Sequence, residues 1–83
     1  MRISIVNRNV KVYVSANDDE DELILAIGLL AIYDCKTFTI EFKENHPAID
    51  AFDTDSFAEM YGLAIVESDK NNIFIFTRGW LQL

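Results

Sequence analysis

One continuous stretch, Asn17 to Cys35, most constrains what this chain can fold into. Five acidic residues in a row, Asp18 to Glu22, are followed by eleven apolar residues in a row, 23–33. Asn17 is a good N-cap residue, and carboxylates in a first turn complement the positive end of the helix dipole. The stretch therefore predicts a helix over about residues 19–34.

The predicted helix is too short to cross a membrane. Eleven apolar residues rise about 16 Å at 1.5 Å each, whereas a membrane span needs ~20 apolar residues. The helix is apolar all round, so one face of a sheet cannot cover it. A second helix, a long loop or another subunit must cover its outer side.

Length and composition predict one domain over residues 1–83. About half of the residues are hydrophobic, which is enough for a packed core. Cys35 is the one cysteine, so an internal disulfide is excluded. A lone cysteine and a start without a signal-peptide pattern favour a cytoplasmic protein.

Alternation of apolar and polar residues predicts five strands. The first two form a hairpin around a three-residue loop, Asn7 to Asn9. The last strand is apolar on both sides, which is typical of an internal strand covered on both faces or of a strand at an interface. The predicted strands are residues 2–6, 10–15, 37–43, 63–67 and 73–78.

Two short helices, or one broken helix, are predicted between the third and fourth strands. Asn45 can cap the first, and Ser56 with Glu59 resembles a capping box for the second. Phe57, Met60 and Tyr61 have the spacing of its inward face, and Gly62 is well placed to end it. The predicted fold is α+β, in the order β-β-α-β-α-β-β. A five-stranded mixed or antiparallel sheet is packed by the long apolar helix and the short broken helix.

The charge is strongly acidic and unevenly placed. Fourteen acidic residues oppose seven basic ones, for a net charge of −7. Nucleic acid and anionic membranes are poor partners for such a chain, whereas a basic protein surface is a good one. Two acidic clusters and one tryptophan are the candidate binding residues: Asp18, Asp19, Glu20, Asp21, Glu22, Asp50, Asp53, Asp55, Glu59 and Trp80.

Each acidic cluster has an ordinary alternative, because carboxylates also cap helices and solvate surfaces. Five consecutive carboxylates on a helix point in all directions, which is poor geometry for a metal. The second cluster lacks the glycine and the distal glutamate of a calcium loop. We therefore expect no metal and no cofactor.

The remaining reactive residues form no catalytic pattern. His46, the one histidine, has no spaced metal-ligating or triad partner and is predicted to lie on the surface at a helix start. Cys35 is predicted to be a small buried hydrophobe. Tyr13, Tyr33 and Trp80 are either interface anchors or core residues. We therefore expect a protein without enzymatic activity.

The order of elements resembles the C-terminal half of the GNAT acetyltransferase fold. Asn45, Ala48 and Ala51–Phe52 approximate the family's Asn-x-x-Ala-x-x-aromatic helix, with the aromatic residue one position late, and Gly62–Leu63 its glycine–apolar step into a terminal hairpin. The resemblance implies a similar architecture over about residues 10–77. The family's glycine-containing pyrophosphate loop corresponds to residues 17–22, which hold five carboxylates and no glycine, so binding of coenzyme A does not carry over.

Three functions are compatible with these patterns. The first is an acidic inhibitor or nucleic-acid mimic that occupies the basic, nucleic-acid-binding surface of a larger host protein, as compact phage-encoded inhibitors do. The second is a homodimeric structural or assembly module. The third is a degenerate GNAT-like acyltransferase.

Overall fold

The computed structural model describes residues 2–15 and 35–78, which form a five-stranded sheet and two short helices. The α+β class and the five-stranded mixed sheet are therefore as predicted. The predicted long helix over 19–34 lies outside the described residues. The elements are β1 (Arg2–Val6), β2 (Asn9–Val14), β3 (Thr37–Phe42), α1 (Ala48–Ala51), α2 (Thr54–Tyr61), β4 (Ala64–Val66) and β5 (Ile73–Thr77).

A two-residue turn joins β1 to β2. Asn7 and Arg8 both have positive φ, at 51° and 68°. Positive φ at both central residues defines a type I′ turn, whose twist matches that of the flanking strands. The predicted three-residue loop is wrong, because Asn9 already pairs with Val6 as the first residue of β2.

The sheet order is β1-β2-β3-β5-β4. Strands β2 and β3 run parallel, and every other neighbouring pair is antiparallel. The chain thus reaches the edge strand β4 before it returns as β5 between β4 and β3. An internal position suits β5, whose Phe76 is fully buried.

The two faces of the sheet differ sharply. The residues of one face, here called the aromatic face, are apolar on all five strands. The other face, here called the open face, carries the intervening residues, and each of these is half-buried or exposed. The aromatic face consists of Ile3, Ile5, Val10, Val12, Val14, Phe38, Ile40, Phe42, Phe74, Phe76 and Ile65.

All six phenylalanines of the chain belong to one aromatic network that joins the helices to the aromatic face. Phe52, just after α1, lies 5.0 Å from Phe74 and 6.0 Å from Phe42 between ring centroids. Phe57 of α2 lies 5.0 Å from Phe76 and 6.0 Å from Phe38. Such ring pairs contribute about 0.5–1.5 kcal/mol each beyond the area that they bury.

Strand β5 has different surroundings on its two faces within the described part of the chain. Its residues Ile73 and Ile75 are only half-buried, and no described helix packs on that side of the sheet. The strand is internal as predicted, but the described elements cover it on the aromatic face alone. No helix among the described residues is long and apolar enough to cross a membrane.

Candidate protein-binding surface

Four exposed carboxylates lie on the outer side of the two helices. Asp50 belongs to α1, Asp53 lies between the helices, and Asp55 and Glu59 belong to α2. We call these four residues the acidic helix surface. The structure thus brings the second predicted cluster onto one layer of the fold, outside the aromatic network.

Helix α2 is amphipathic, and its polar side carries part of this surface. Its inner side consists of the buried Ala58 with the half-buried Phe57 and Tyr61. Asp55 and Glu59 stand four residues apart on the opposite side, so they are neighbours one turn apart. Like charges at this spacing repel each other.

An exposed methionine lies beside these carboxylates. The apolar spacing in the sequence predicts that Met60 faces inward with Phe57 and Tyr61, but 72% of its surface is exposed. The prediction is wrong because the buried Ala58, rather than Met60, completes the inner side of the helix. A large apolar side chain among carboxylates is a feature that spacing alone did not reveal.

Asp53 has a structural role in addition to its charge. It is the N-cap of α2: its Oδ1 accepts from the Ser56 backbone N–H at 3.0 Å, and its Oδ2 accepts from the Ser56 hydroxyl at 2.8 Å. These hydrogen bonds to the charged form lower the pKa of Asp53. The predicted capping box beginning at Ser56 is wrong, because the helix begins at Thr54 and Ser56 is its third residue.

The segment of sequence that carries the acidic helix surface contains no lysine or arginine. Between Lys43 and Lys70 the chain contains seven carboxylates and no lysine or arginine. The ion pair shown for the described residues joins Lys11 to Glu41 at 3.2 Å, on the open face. None of the four carboxylates is ion-paired within the described part of the chain, so their charge faces solvent.

Local stability does not explain the position of Glu59. The last turn of α2 contains no basic residue, and Glu59 lies there, where a cation is favoured and an anion is not. Both the negative end of the helix dipole and the nearby Asp55 carboxylate repel the Glu59 carboxylate. Each effect costs only a few tenths of a kcal/mol at an exposed site. Residues that break a local rule in this way often serve a function.

The C-terminus of α2 is closed by its own backbone. Gly62 has φ +67°, the Leu63 N–H donates to Ala58 O at 2.8 Å, and the Gly62 N–H donates to Glu59 O at 3.4 Å. This is a Schellman motif, as the sequence predicts for Gly62. Together with the aromatic network, it fixes the helix that carries the surface.

His46 is buried, so its predicted surface position is wrong. Only 8% of the residue is exposed, and its ring lies 5.5 Å from that of Phe42. Asn45, at φ +64°, turns the chain back onto the sheet. His46 Nδ1 accepts from the Ala48 N–H at 3.0 Å, which replaces the predicted cap from Asn45.

The other predicted residues divide into two groups. Cys35 is 2% exposed within the core, as predicted. Tyr13 is half-buried on the open face, with the Arg2 guanidinium 5.1 Å from its ring centre, so it is not a core residue. The following candidates lie outside the described residues: Asp18, Asp19, Glu20, Asp21, Glu22, Tyr33 and Trp80.

No group of three or more His, Cys, Asp or Glu side chains in residues 2–15 and 35–78 is arranged to hold a metal ion. Comparison of the chain with protein-family models, with curated proteins and with solved structures finds no match.

Proposed function

We propose that the chain is a small acidic binding protein that docks its acidic helix surface on a basic surface of a larger protein. The observation that carries the proposal is the set of exposed carboxylates on α1 and α2 that lack any cationic neighbour between Lys43 and Lys70. A partner's arginines and lysines would supply the missing cations.

Two further features support this function. Glu59 opposes the dipole of its own helix, and a cationic partner would relieve that repulsion. Met60 offers an apolar contact among the charges, and interfaces are enriched in methionine at their centres. A helix anchored by an aromatic network presents these groups without a large ordering cost on binding.

The partner's basic surface would be one that normally binds nucleic acid. Such a surface would accept carboxylates in place of phosphates, so the chain would act as a cytoplasmic, non-enzymatic inhibitor. The GNAT resemblance remains a prediction. The counterpart of that family's pyrophosphate loop lies outside the described residues.

The test compares two triple variants with the wild type. Asp50→Asn, Asp55→Asn and Glu59→Gln together neutralise the acidic helix surface but leave the Asp53 cap intact. Glu44→Gln, Glu67→Gln and Asp69→Asn form the matched control. Each variant removes three negative charges from the total of −7, but the control removes them from turns outside the helices.

Tagged forms of all three proteins are used to capture partners from a lysate of the source organism at low and at high salt. We expect the wild type and the control to capture the same protein at low salt and to release it at high salt. The helix variant should capture little of it. Duplex DNA added as competitor should displace the wild type if the partner's nucleic-acid site is occupied.

Two results would overturn the proposal. One is equal loss of capture in both triple variants, because net charge rather than this surface would then explain binding. The other is capture that does not change with salt concentration.

A further inference from the structure

Strand β1 is an exposed edge of the sheet. Among the strands of residues 2–15 and 35–78, it stands at one end of the order and pairs only with β2. All five of its residues are exposed. Ile3, Ile5 and Val6 have 50%, 63% and 61% of their surface accessible, although Val10 and Val12 opposite them are buried.

The turn geometry determines which backbone groups of β1 face outward. The type I′ turn places Val6 and Asn9 as its first and last residues, so these two form a hydrogen-bonded pair. Hydrogen-bonded and non-hydrogen-bonded pairs alternate along an antiparallel ladder. The N–H and C=O groups of Ile3 and Ile5 therefore point away from β2, toward the free edge.

Nothing in β1 protects this edge. Natural sheets commonly block free edges with lysine, proline, a bulge or a very short strand. The sequence of β1, RISIV, has no proline or lysine, its register with β2 is continuous, and its central three residues are uncharged. The opposite edge, β4, is only three residues long.

We propose that a second copy of the chain pairs with β1 through its own β1, antiparallel, about a twofold axis at Ser4. This register sets Ile3 of one copy against Ile5 of the other. The outward N–H and C=O groups of both isoleucines then form four hydrogen bonds across the axis. An isologous interface needs such self-complementarity, and the Ile–Ser–Ile order of β1 provides it.

The side chains fit the same register. Ile3 and Ile5 lie on the aromatic face, so the four isoleucines of two copies form one apolar cluster across the axis. Arg2 falls opposite Val6 of the other copy, which brings no two like charges directly together. The two five-stranded sheets become one continuous sheet.

The size of this contact determines its strength. An edge of five residues buries less than the ~1,200–2,000 Å² of a standard stable interface, so the dimer is weak and forms as concentration rises. Both copies carry −7, so added salt screens their repulsion and strengthens the dimer. Binding through the acidic helix surface has the opposite salt dependence, so the two proposals can fail independently.

Sedimentation velocity over a concentration series tests the interface. Wild type should shift from monomer toward dimer, and the shift should occur at lower concentration in high salt. Ile5→Lys adds a charge to the edge and should keep the protein monomeric. Ile65→Lys is the matched control, because Ile65 lies on the same face of the other edge strand and is 48% exposed.

A cross-link tests the register itself. The two copies of Ser4 meet at the axis as a non-hydrogen-bonded pair, whose Cα atoms lie ~4.5 Å apart, within the range that a disulfide spans. In a Cys35→Ala background, Ser4→Cys should give a disulfide-linked dimer under mild oxidation. Met60→Cys, on the exposed side of α2, should remain mostly monomeric.

The proposal is overturned if wild type remains a monomer at every concentration, or if Ile65→Lys abolishes the dimer and Ile5→Lys does not. Equal cross-linking of Ser4→Cys and Met60→Cys would also overturn it, because random collision would then explain the disulfide. Circular dichroism of each variant establishes that it is folded.

Discussion

Asn72 binds both backbone hydrogen-bonding groups of Phe42. The Asn72 side-chain Nδ2 donates to Phe42 O at 2.8 Å, and the Phe42 N–H donates to Asn72 O at 2.8 Å. Asn72 is 8% exposed and comes just before β5. It therefore extends the pairing of β3 with β5 by one residue, at the point where the aromatic network begins.

Asn72→Ala should destabilise the domain by about 1–3 kcal/mol, because the carbonyl of Phe42 loses a side-chain donor in a buried position. Chemical denaturation measures the change in the free energy of unfolding. Asn71→Ala is the control, because Asn71 precedes Asn72 but is exposed. This substitution should change the free energy of unfolding by less than about 0.5 kcal/mol. Equal effects at both positions would contradict this role of the buried amide.

Gly62→Ala should destabilise the domain by about 1 kcal/mol. A Cβ at this position would meet no heavy atom within 4 Å, so a steric clash is not the cause. The cost arises because φ +67° is unfavourable for a residue with a Cβ. Asn tolerates this conformation, so Gly62→Asn should lose less stability than Gly62→Ala in thermal unfolding. The reverse order would show that the backbone conformation is not the cause.

Asp53→Asn should change how stability depends on pH. The pKa of Asp53 is lowered in the folded state from its usual 3.8 by the hydrogen bonds from Ser56. A carboxyl with a lowered folded pKa contributes stability above the unfolded pKa and loses it as pH falls through the folded pKa. The wild type should therefore be more stable than Asp53→Asn near neutral pH, and the difference should shrink below pH 3.8.

Asp50→Asn is the control for this measurement, because it also removes one exposed carboxylate but leaves the Asp53 cap intact. Urea denaturation at several pH values should give this variant the same pH dependence as the wild type. If Asp53→Asn also retained the wild-type dependence, the capping carboxylate would not contribute to acid sensitivity.

Phe52→Ala should destabilise the domain by about 3 kcal/mol, at the low end for a phenylalanine because the residue is only half-buried. Its ring contacts those of Phe42, Phe57, Phe74 and Phe76, so its loss removes part of the packing between the helices and the sheet. Phe52→Leu keeps part of the apolar volume and should lose less. Met60→Ala, which removes an exposed side chain, should have little effect on unfolding.

Much of the sheet was predictable because its signal is local. The alternation in residues 2–6 and 37–42 identifies strands without knowledge of their neighbours. The position of β5 between β3 and β4 depends on pairing between distant segments, which alternation does not encode. The burial of His46 depends in the same way on how the chain turns back onto Phe42.

The sequence identifies the carboxylates of the acidic helix surface, but it does not show which residue caps α2 or that Met60 is exposed. Asp53 and Ser56 are both good N-cap residues three positions apart, and either could begin the helix. Asp53 is the N-cap in the structure, so one of the four carboxylates of the acidic helix surface also stabilises its helix. Phe57, Met60 and Tyr61 have the spacing of one helix face, but Ala58 is buried in place of Met60. The packing of α2 on the aromatic face decides this, and sequence spacing does not encode it.

Glu59 provides the sharpest test of whether the acidic helix surface serves binding at the expense of stability. Glu59→Lys removes the repulsion with Asp55, creates an attractive pair four residues apart and places a cation at the helix C-terminus. The free energy of unfolding should rise by about 0.5–1 kcal/mol. Binding to the captured basic partner should weaken several-fold, because a contact charge changes sign.

Glu67→Lys makes the same charge change outside the helices, at an exposed position after β4. It should alter stability by less than about 0.5 kcal/mol and should weaken binding much less than Glu59→Lys does. Thermal unfolding and titration calorimetry against the partner measure the two quantities on the same samples. If Glu59→Lys gained stability and still bound as the wild type does, the carboxylate would be an unfavourable helix residue without a role in docking.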